Sequence, residues 1–276
     1  MSAVALPAPY SWELSAERFR VFGHDPATVW ADGALHRVFG GREVSIRAAA
    51  APTQVDVRPA DAADDLDVRH FLGLAFDLDA FRAFAALDPV LGPVEERLRG
   101  YRPMLMPDGW EMLVGAITAQ QVSLAAATAI RGRFVERYGV RHDRAWAFPA
   151  RERVAELGPA DLVTLGFSGR KAEYVVGLAR SRLDLPGLAR LPDEKVAAHI
   201  RAERGLGEWT ADWFLGRHLG RGRAWPAGDL ALRKAVSAFY AGGRPLTIEE
   251  VRAMAPRFGD FANLTAHYLL LGGRTP

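Results

Sequence analysis

The segment that decides the fold is Glu203-Arg-Gly-Leu-Gly-Glu-Trp-Thr-Ala-Asp-Trp213, which is followed after a Gly/Pro-rich stretch by Trp225-Pro-Ala-Gly-Asp229. Gly205 and Gly207 can both adopt positive φ, and Leu206 between them can anchor the turn in a core. A helix is predicted to begin directly after the turn, so its first N–H groups would suit a phosphate oxygen. The segment therefore predicts two helices joined by a hairpin that can hold a phosphate backbone.

Asp229 is the second feature of this region, and it is predicted to be the N-cap of the helix that begins at Leu230. Helix N–H groups, together with the nearby Arg233 and Lys234, would keep its carboxylate ionised at neutral pH. Such a carboxylate can stabilise an oxocarbenium ion or align a water molecule. In isolation each feature has an ordinary explanation, because a Gly-apolar-Gly segment is usually a plain turn and such an aspartate is usually only a cap.

The composition is that of a protein with a substantial core. The chain has 276 residues, of which 49% are hydrophobic, and this is enough for two domains. It contains no cysteine, which excludes disulfides, thiol nucleophiles, Cys-ligated zinc and iron–sulfur clusters. The N-terminus lacks a basic segment followed by an apolar core, and no stretch approaches about 20 apolar residues, so we expect a cytoplasmic protein without a membrane partner.

Charge and periodicity divide the chain near residue 70. Residues 1–70 hold 7 basic and 10 acidic side chains, whereas residues 71–276 hold 28 and 23, a modest excess that weakly favours a polyanion. Short alternating runs predict an antiparallel sheet in the first part; they are Ala27–Trp30, Leu35–Phe39, Glu43–Arg47 and Gln54–Arg58. Helical periodicity follows, as in Leu124–Tyr138 after Ser123 and in Ser168–Leu183.

The predicted fold class is therefore mainly α with a small antiparallel β N-terminal domain (α+β). Residues 1–70 are expected to form the sheet domain. Residues 71–276 are expected to form an all-helical catalytic body of two lobes with nine to eleven short helices and the hairpin at residues 200–214.

Taken together, the hairpin, the Gly/Pro-rich loop and Asp229 resemble the helix-hairpin-helix DNA glycosylase superfamily in order and spacing, and the details are similar to its AlkA-type 3-methyladenine DNA glycosylase II branch. Ala119-Gln-Gln-Val-Ser123 resembles the wedge loop of that family, and Pro9-Tyr10-Ser-Trp12 matches near its start. The resemblance covers about residues 9–271. It implies a monofunctional glycosylase that hydrolyses the N-glycosidic bond of alkylated bases in double-stranded DNA during base excision repair, as a monomer and without a cofactor.

The resemblance assigns the catalytic role to Asp229. Trp209 stands where bifunctional relatives carry a Schiff-base lysine, so covalent attack by an amine and strand cleavage are not expected. Trp209 and Trp213 are four residues apart and share a helix face, which suits stacking on a cationic base, although Trp213 could equally be core packing. Phe19 and Leu270 would complete the base pocket. The segment Asn263–Leu271 is expected to offer only aliphatic side chains, which predicts a wider pocket that accepts bulkier adducts.

The resemblance also assigns a DNA-binding surface. Gln121 is expected to fill the gap left by the flipped nucleotide, with Gln120 beside it. A monovalent cation is implied at the hairpin backbone near Gly205 and Gly207, and no metal is expected on side chains. The residues expected to contact DNA are Gly205, Leu206, Gly207, Gln120, Gln121, Ser123, Lys171, Arg233 and Lys234.

Two departures from the family pattern and two alternatives accompany this interpretation. Glu203 replaces an apolar residue, which predicts a looser turn, and Gly228 replaces an acidic residue, which favours ionised Asp229. One alternative is a non-catalytic protein that binds DNA structure through the same hairpin. The other is a glycosylase/lyase for oxidised bases.

Overall fold

The computed structural model describes residues 2–21 and 23–274, and its N-terminal part is an antiparallel sheet. The strands are β1 (Ser2–Ala5), β2 (Thr28–Ala31), β3 (Ala34–Phe39), β4 (Arg42–Ala48) and β5 (Gln54–Arg58), in the order β1-β5-β4-β3-β2. Alternation buries one face, as at Val44 and Ile46 of β4. The four predicted strands are confirmed, and β1 is a fifth that the alternation did not indicate.

Helices make up most of the chain after the sheet. Their bounds are α1 (Trp12–Val21), α2 (Leu66–Phe71), α3 (Leu78–Ala85), α4 (Leu91–Arg97), α5 (Gly109–Ala119), α6 (Leu124–Tyr138), α7 (Arg151–Ala155), α8 (Pro159–Val163), α9 (Gly169–Arg180), α10 (Leu185–Leu188), α11 (Asp193–Ala202), α12 (Glu208–Trp213), α13 (Leu230–Tyr240), α14 (Ile248–Ala253), α15 (Ala255–Phe258) and α16 (Ala262–Gly272). A π-helical turn, Phe214–His218, continues α12. Two 3-10 helices span Ala60–Asp64 and Gly259–Phe261. Two further strands, β6 (Val140–Arg141) and β7 (Trp146–Ala147), pair with each other.

The helical body departs from its prediction in two ways. Fourteen α-helices follow Phe71 in the described chain, more than the expected nine to eleven, because six of them have only four to six residues. The body is also not purely helical, since β6 and β7 pair within it. Periodicity cannot detect elements of two to six residues, because they are shorter than two helical turns.

The caps of two longer helices follow their sequence signals. Ser123 accepts the N–H of Ala126 at 3.2 Å and begins α6, as predicted. Ser168 begins α9 in the same way, but α9 ends at Arg180 rather than at residue 183. The hydroxyl of Ser181 accepts the N–H of Leu183 at 3.3 Å, which turns the chain out of the helix.

The sheet and the helical body share a buried ionic network. Arg37 of β3 donates to Glu111 of α5, and Glu111 also accepts from Arg131 of α6 at 2.5 Å. Arg131 donates in turn to Asp25 at 3.2 Å. Removing one member would leave a buried charge without a partner, so the network fixes the sheet against α5 and α6 of the helical body. Among the described residues, no helix has both the length and the apolar character needed to cross a bilayer.

Candidate active site

The carboxylate of Asp229 lies at the N-terminus of α13 and is oriented by three donors. Its Oδ1 accepts the backbone N–H of Leu232 at 2.9 Å, which confirms the predicted N-cap. Its Oδ2 accepts two indole N–H groups, from Trp209 at 2.9 Å and from Trp213 at 3.0 Å. The carboxylate is therefore held in one orientation before any substrate is present.

The same donors set the charge state of Asp229. Burial by itself would raise the pKa of this carboxyl group, because a charged group loses hydration. The N–H of Leu232, the indole N–H groups of Trp209 and Trp213 and the charge of Arg217 outweigh burial and hold the pKa of Asp229 below its usual range. Asp229 is thus an anion at neutral pH, as required of a group that stabilises positive charge.

Trp213 is enclosed by protein, with only 1% of its surface exposed. The guanidinium carbon of Arg217 lies 3.6 Å from the centre of its ring, and the ring of His267 packs against it at 5.9 Å between centroids. Of the two roles that the sequence left open, this environment favours packing and orientation of Asp229. Trp209 is half-buried and keeps an accessible surface in the described structure.

The hairpin between α11 and α12 needs only one left-handed glycine. Gly205 has φ 88°, and a Cβ at this position would lie 2.3 Å from the ring of Tyr174. The expectation of positive φ at Gly207 is wrong, because this residue is the extended N-cap of α12, with φ −117°. No atom lies within 4 Å of a Cβ built on Gly207, so its backbone is open to a ligand. The carbonyl of Glu203 accepts the N–H of Leu206 at 3.1 Å, so the turn is closed despite the charged residue.

The wedge loop, Gln120–Ser123, connects α5 to α6. The side-chain amide of Gln120 donates to the carbonyl of Gly205 at 2.9 Å, which ties the loop to the hairpin. Gln121 is exposed and has φ 54°, a left-handed conformation that is uncommon for residues other than glycine. The structure therefore directs Gln121 outward and uses Gln120 as a tie. That tie engages the carbonyl of Gly205, one of the hairpin backbone groups near which the resemblance implies a monovalent cation.

Three residues expected to contact DNA occupy different environments. Lys171 is buried, and its ammonium donates to the carbonyl of Thr118 at 2.9 Å, so its charged group is engaged inside the protein in this structure. Burial lowers the pKa of Lys171. Arg233 is half-buried and donates to the carbonyl of Leu246 at 3.3 Å, whereas Lys234 is exposed and free to meet a backbone.

The two base-pocket residues predicted outside the hairpin, Phe19 of α1 and Leu270 of α16, lie in different surroundings. Phe19 is half-buried and lies under the guanidinium of Arg18, 4.8 Å from the ring centre. Leu270 is buried, with 8% exposed, in the main core. The expectation that Asn263–Leu271 offers only aliphatic side chains is wrong, because His267 in that segment packs against Trp213.

Sequence reasoning missed Arg217, Arg18 and His267. Arg217 follows Trp213 by four residues, as Trp213 follows Trp209, so helical spacing could have found it. Arg18 lies on α1, about two hundred residues away in sequence, and no local pattern connects it to the hairpin. His267 is a single polar ring in an apolar helix, which by itself indicates nothing specific.

A known protein family matches most of the chain's helical body. The model of the HhH-GPD superfamily base excision DNA repair proteins matches residues 114–256, which is more than half of the chain. This region contains the wedge loop, the hairpin and Asp229.

Similar proteins carry consistent names. A DNA-3-methyladenine glycosylase of Bacillus subtilis is 28% identical over 226 residues, which cover 78% of this chain and 75% of that protein. The structure of a 3-methyladenine DNA glycosylase from Archaeoglobus fulgidus is similar with a TM-score of 0.87 and 30% identity, over 98% of both chains. A 3-methyladenine DNA glycosylase of Schizosaccharomyces pombe in complex with abasic DNA matches with a TM-score of 0.59 and 25% identity, over 68% of this chain and 92% of that one.

Proposed function

The chain belongs to the HhH-GPD superfamily of base excision DNA repair proteins, and we propose that it is a monofunctional DNA glycosylase that removes alkylated bases, such as 3-methyladenine and 7-methylguanine, from double-stranded DNA. The observation that carries the proposal is an ionised Asp229, oriented by two indole N–H groups, in a hairpin site whose position 209 is tryptophan. We place its action in the cytoplasm, at the nucleoid when bound to DNA, as a monomer.

Asp229 stabilises the positive charge that develops on the deoxyribose as the base departs. The bond between C1′ and the base nitrogen breaks, and its electron pair leaves with the base. A water oxygen then bonds to C1′ and the water releases a proton, which leaves an abasic site. Because the three donors already orient the carboxylate, little reorganisation is needed when charge appears.

Trp209 supports both the chemistry and the choice of base. Its indole orients Asp229 and has no amine that could attack C1′, so the reaction ends at base removal. Its accessible ring surface can stack on a cationic alkylated base, for which a cation–π contact contributes about 1–2 kcal/mol.

In the proposed complex, DNA contacts the hairpin and the wedge loop. A Cβ built on Gly207 meets no atom within 4 Å, so the hairpin backbone there is open to a phosphate, and the exposed Lys234 and Ser123 are proposed as further contacts. Gln121 enters the duplex where the damaged nucleotide rotates out. The bond from Gln120 to Gly205 fixes the distance between these two contacts. The mechanism has no step that passes through a metal ion.

Release of methylated bases from alkylated duplex DNA tests the proposal. Asp229→Asn keeps the N-cap but removes the anion, and we expect base release to fall by about 10²–10⁴-fold while DNA binding remains. Asp77→Asn is the matched control, because Asp77 is also the N-cap of a helix and is exposed. This control should retain full activity.

The same preparations separate the alternatives. Equal base release by wild type and Asp229→Asn would refute the mechanism. DNA binding without any release would instead indicate the non-catalytic binder. A covalent adduct trapped with borohydride would indicate a glycosylase/lyase for oxidised bases, and we expect none because Trp209 cannot form a Schiff base.

A further inference from the structure

The helix α9 contacts both segments that are proposed to meet DNA. Lys171 and Tyr174 are three residues apart in its N-terminal half, so they occupy neighbouring positions on one face. The backbone N–H of Lys171 donates to the hydroxyl of Ser168 at 3.3 Å, which fixes the first turn of the helix. Lys171 reaches α5, which leads into the wedge loop, and Tyr174 reaches the hairpin. The two side chains therefore connect α9 to both segments.

The ammonium of Lys171 supports the end of α5. It donates to the carbonyl of Thr118 at 2.9 Å, and both residues are buried. Thr118 lies in the last turn of α5, where backbone carbonyls lack a partner within the helix. Its hydroxyl donates to the carbonyl of Val114 at 2.7 Å, so the side chain of Thr118 is fixed as well. A charged donor to a buried carbonyl makes a strong hydrogen bond, and here it fixes the chain where the helix stops.

The ring of Tyr174 supports the hairpin. A Cβ built on Gly205 would lie 2.3 Å from that ring, so the glycine backbone lies directly against it. The guanidinium carbon of Arg204 is 5.7 Å from the ring centre, and Arg204 pairs with Glu173 at 3.0 Å. The carbonyl of Gly205 also accepts the side-chain amide of Gln120 at 2.9 Å. The hairpin, the chain at the end of α5 and α9 thus contact one another in pairs.

The wedge loop begins in a backbone conformation that needs such support. The chain leaves the helical conformation at Gln120, whose ψ is 126°, and Gln121 is left-handed with φ 54°. Residues other than glycine rarely adopt a positive φ, and surrounding contacts must hold them there. Thr118 is held by Lys171, and Gln120 is held by the hairpin. Lys171 therefore acts on the short stretch of backbone that sets the direction of the Gln121 side chain.

We infer that Lys171 is a positioning residue for nucleotide flipping, which holds the end of α5 so that Gln121 is directed outward before DNA binds. This inference rests on the proposed glycosylase function. In this role Lys171 contacts neither the base nor C1′, and it acts only through the wedge loop. A preformed wedge lowers the ordering cost of entering the duplex. The benefit applies to double-stranded DNA and not to a single strand, where no gap has to be filled.

Single-turnover release of 7-methylguanine from a duplex and from the same strand unpaired tests the inference. Lys171→Met removes the ammonium but keeps a long side chain. We expect the duplex rate to fall about tenfold and the single-strand rate to stay within about twofold of wild type. Lys171→Arg keeps a cationic donor and should retain the duplex rate within about threefold.

Arg180→Met is the matched control. Arg180 also lies on α9 and donates to backbone carbonyls near the end of another helix, those of Ala155 at 2.9 Å and Leu157 at 2.8 Å. These carbonyls belong to the end of α7 and the turn after it, not to the wedge loop. The control should lower the melting temperature and leave the ratio of duplex to single-strand rates unchanged.

A double-mutant cycle separates positioning from general stabilisation. If Lys171 acts through Gln121, adding Lys171→Met to Gln121→Ala should change the duplex rate by less than about twofold, because the wedge side chain is already absent. Losses that multiply in the double variant would show that Lys171 acts by another route and would overturn the inference.

The salt dependence of duplex binding tests for a direct phosphate contact. The slope of log Kd against log salt concentration should be the same for wild type and Lys171→Met. A slope that is smaller by about 0.9 in Lys171→Met would mean that the ammonium binds a phosphate, and the positioning role would be wrong.

The possible outcomes distinguish this inference from the proposed function. If wild type releases 7-methylguanine from neither substrate, the proposed function fails and the inference fails with it. If wild type is active and Lys171→Met loses the same factor on both substrates, or loses nothing, the inference alone is overturned. Thermal melting identifies a variant that does not fold, and Lys171→Gln then replaces Lys171→Met in every comparison.

Discussion

We call Asp229 and its three donors, Leu232, Trp209 and Trp213, the carboxylate corner. The corner is buried and hydrogen-bonded, whereas the wedge loop is exposed. At the corner, Asp229 accepts three hydrogen bonds and Trp213 is 1% exposed. In the loop, Gln121 is exposed and has φ 54°, and Val122 beside it is 41% exposed. Both segments lie at helix ends, since Asp229 precedes α13 and the loop separates α5 from α6.

The difference reflects what each segment must do. A group that stabilises developing charge works best when its orientation is fixed in advance, because reorganisation then costs little. A side chain that enters a duplex must instead be exposed before binding, since its partner is the gap in the DNA. The bond from Gln120 to Gly205 ties the wedge loop to the hairpin that leads into α12, the helix that carries Trp209 and Trp213.

Trp213→Phe should lower base release more than the other substitutions considered in this comparison. It removes one of the hydrogen bonds to Asp229 while keeping an aromatic ring. One charge-assisted hydrogen bond contributes about 1.5–3 kcal/mol, so base release should fall by about 10–100-fold. The pKa of Asp229 should rise, and the acid limb of the pH–rate profile should move to higher pH. Single-turnover rates between pH 4 and 8 would measure both changes.

Trp110→Phe is the matched control for this substitution. The indole of Trp110 donates to the carbonyl of Pro149 at 2.9 Å, away from Asp229. We expect a lower melting temperature without a shift of the pH–rate profile. A similar rate loss in both variants would mean that the corner acts through stability rather than through orientation.

Gln121→Ala should have the next largest effect, and only on duplex substrates. Removing the side chain that fills the gap should slow base release from double-stranded DNA by about tenfold and leave release from single-stranded DNA nearly unchanged. Rates on the same lesion in both contexts measure this ratio. Gln121→Gly, which suits the positive φ, should be at least as stable as wild type and equally slow on duplex. Equal losses on both substrates would contradict the assigned role.

Gln120→Ala should have a smaller effect, because it removes only the hydrogen bond between the wedge loop and the hairpin. A single neutral hydrogen bond contributes about 1 kcal/mol, so duplex binding should weaken by about fivefold. Hydrogen exchange at the loop amides should become faster, while exchange in α13 should not change. An unchanged exchange rate in the loop would show that another contact holds it.

The pH dependence of stability should show the smallest effect and should come from the corner. Burial lowers the pKa of His267 well below 6.5 and that of His218 to about 4. Below pH 6.5 the unfolded chain therefore takes up protons that the folded chain does not, and stability falls as the pH decreases from 6.5 toward 4. Urea titrations at pH 7, 6 and 5 would measure the slope. His267→Gln should flatten it, and an unchanged slope would show that His267 is not responsible.

Local signals in the sequence predicted the elements that depend on neighbouring residues. The caps at Ser123, Ser168 and Asp229 were correct because each needs only a donor within three residues. The hairpin was correct in position but not in detail, since Gly207 is extended. Its role as a helix N-cap, rather than its lack of a side chain, decides its conformation.

Long-range contacts account for what the sequence did not predict. Lys171 was expected to meet DNA, but Thr118, more than fifty residues earlier, presents a carbonyl that its ammonium reaches. The charge beside Asp229 was assigned to Arg233 and Lys234, whereas Arg217 supplies it from the π-helical turn that continues α12. For Lys171 the distance in space is set by packing between helices, which periodicity does not encode. For Arg217 the four-residue spacing from Trp213 places it on the same face, but only the packing of α13 brings Asp229 near it.

The sequence alone determined that a glycine hairpin precedes a helix-capping aspartate and that no amine follows the hairpin, because turn, cap and residue identity are local properties. Only the tertiary structure decided that the indoles of Trp209 and Trp213 converge on one carboxylate oxygen and that Arg217 covers Trp213. The physical reason is that the corner is built from α12, its π-helical turn and α13. Their mutual orientation depends on the packing of the whole helical body.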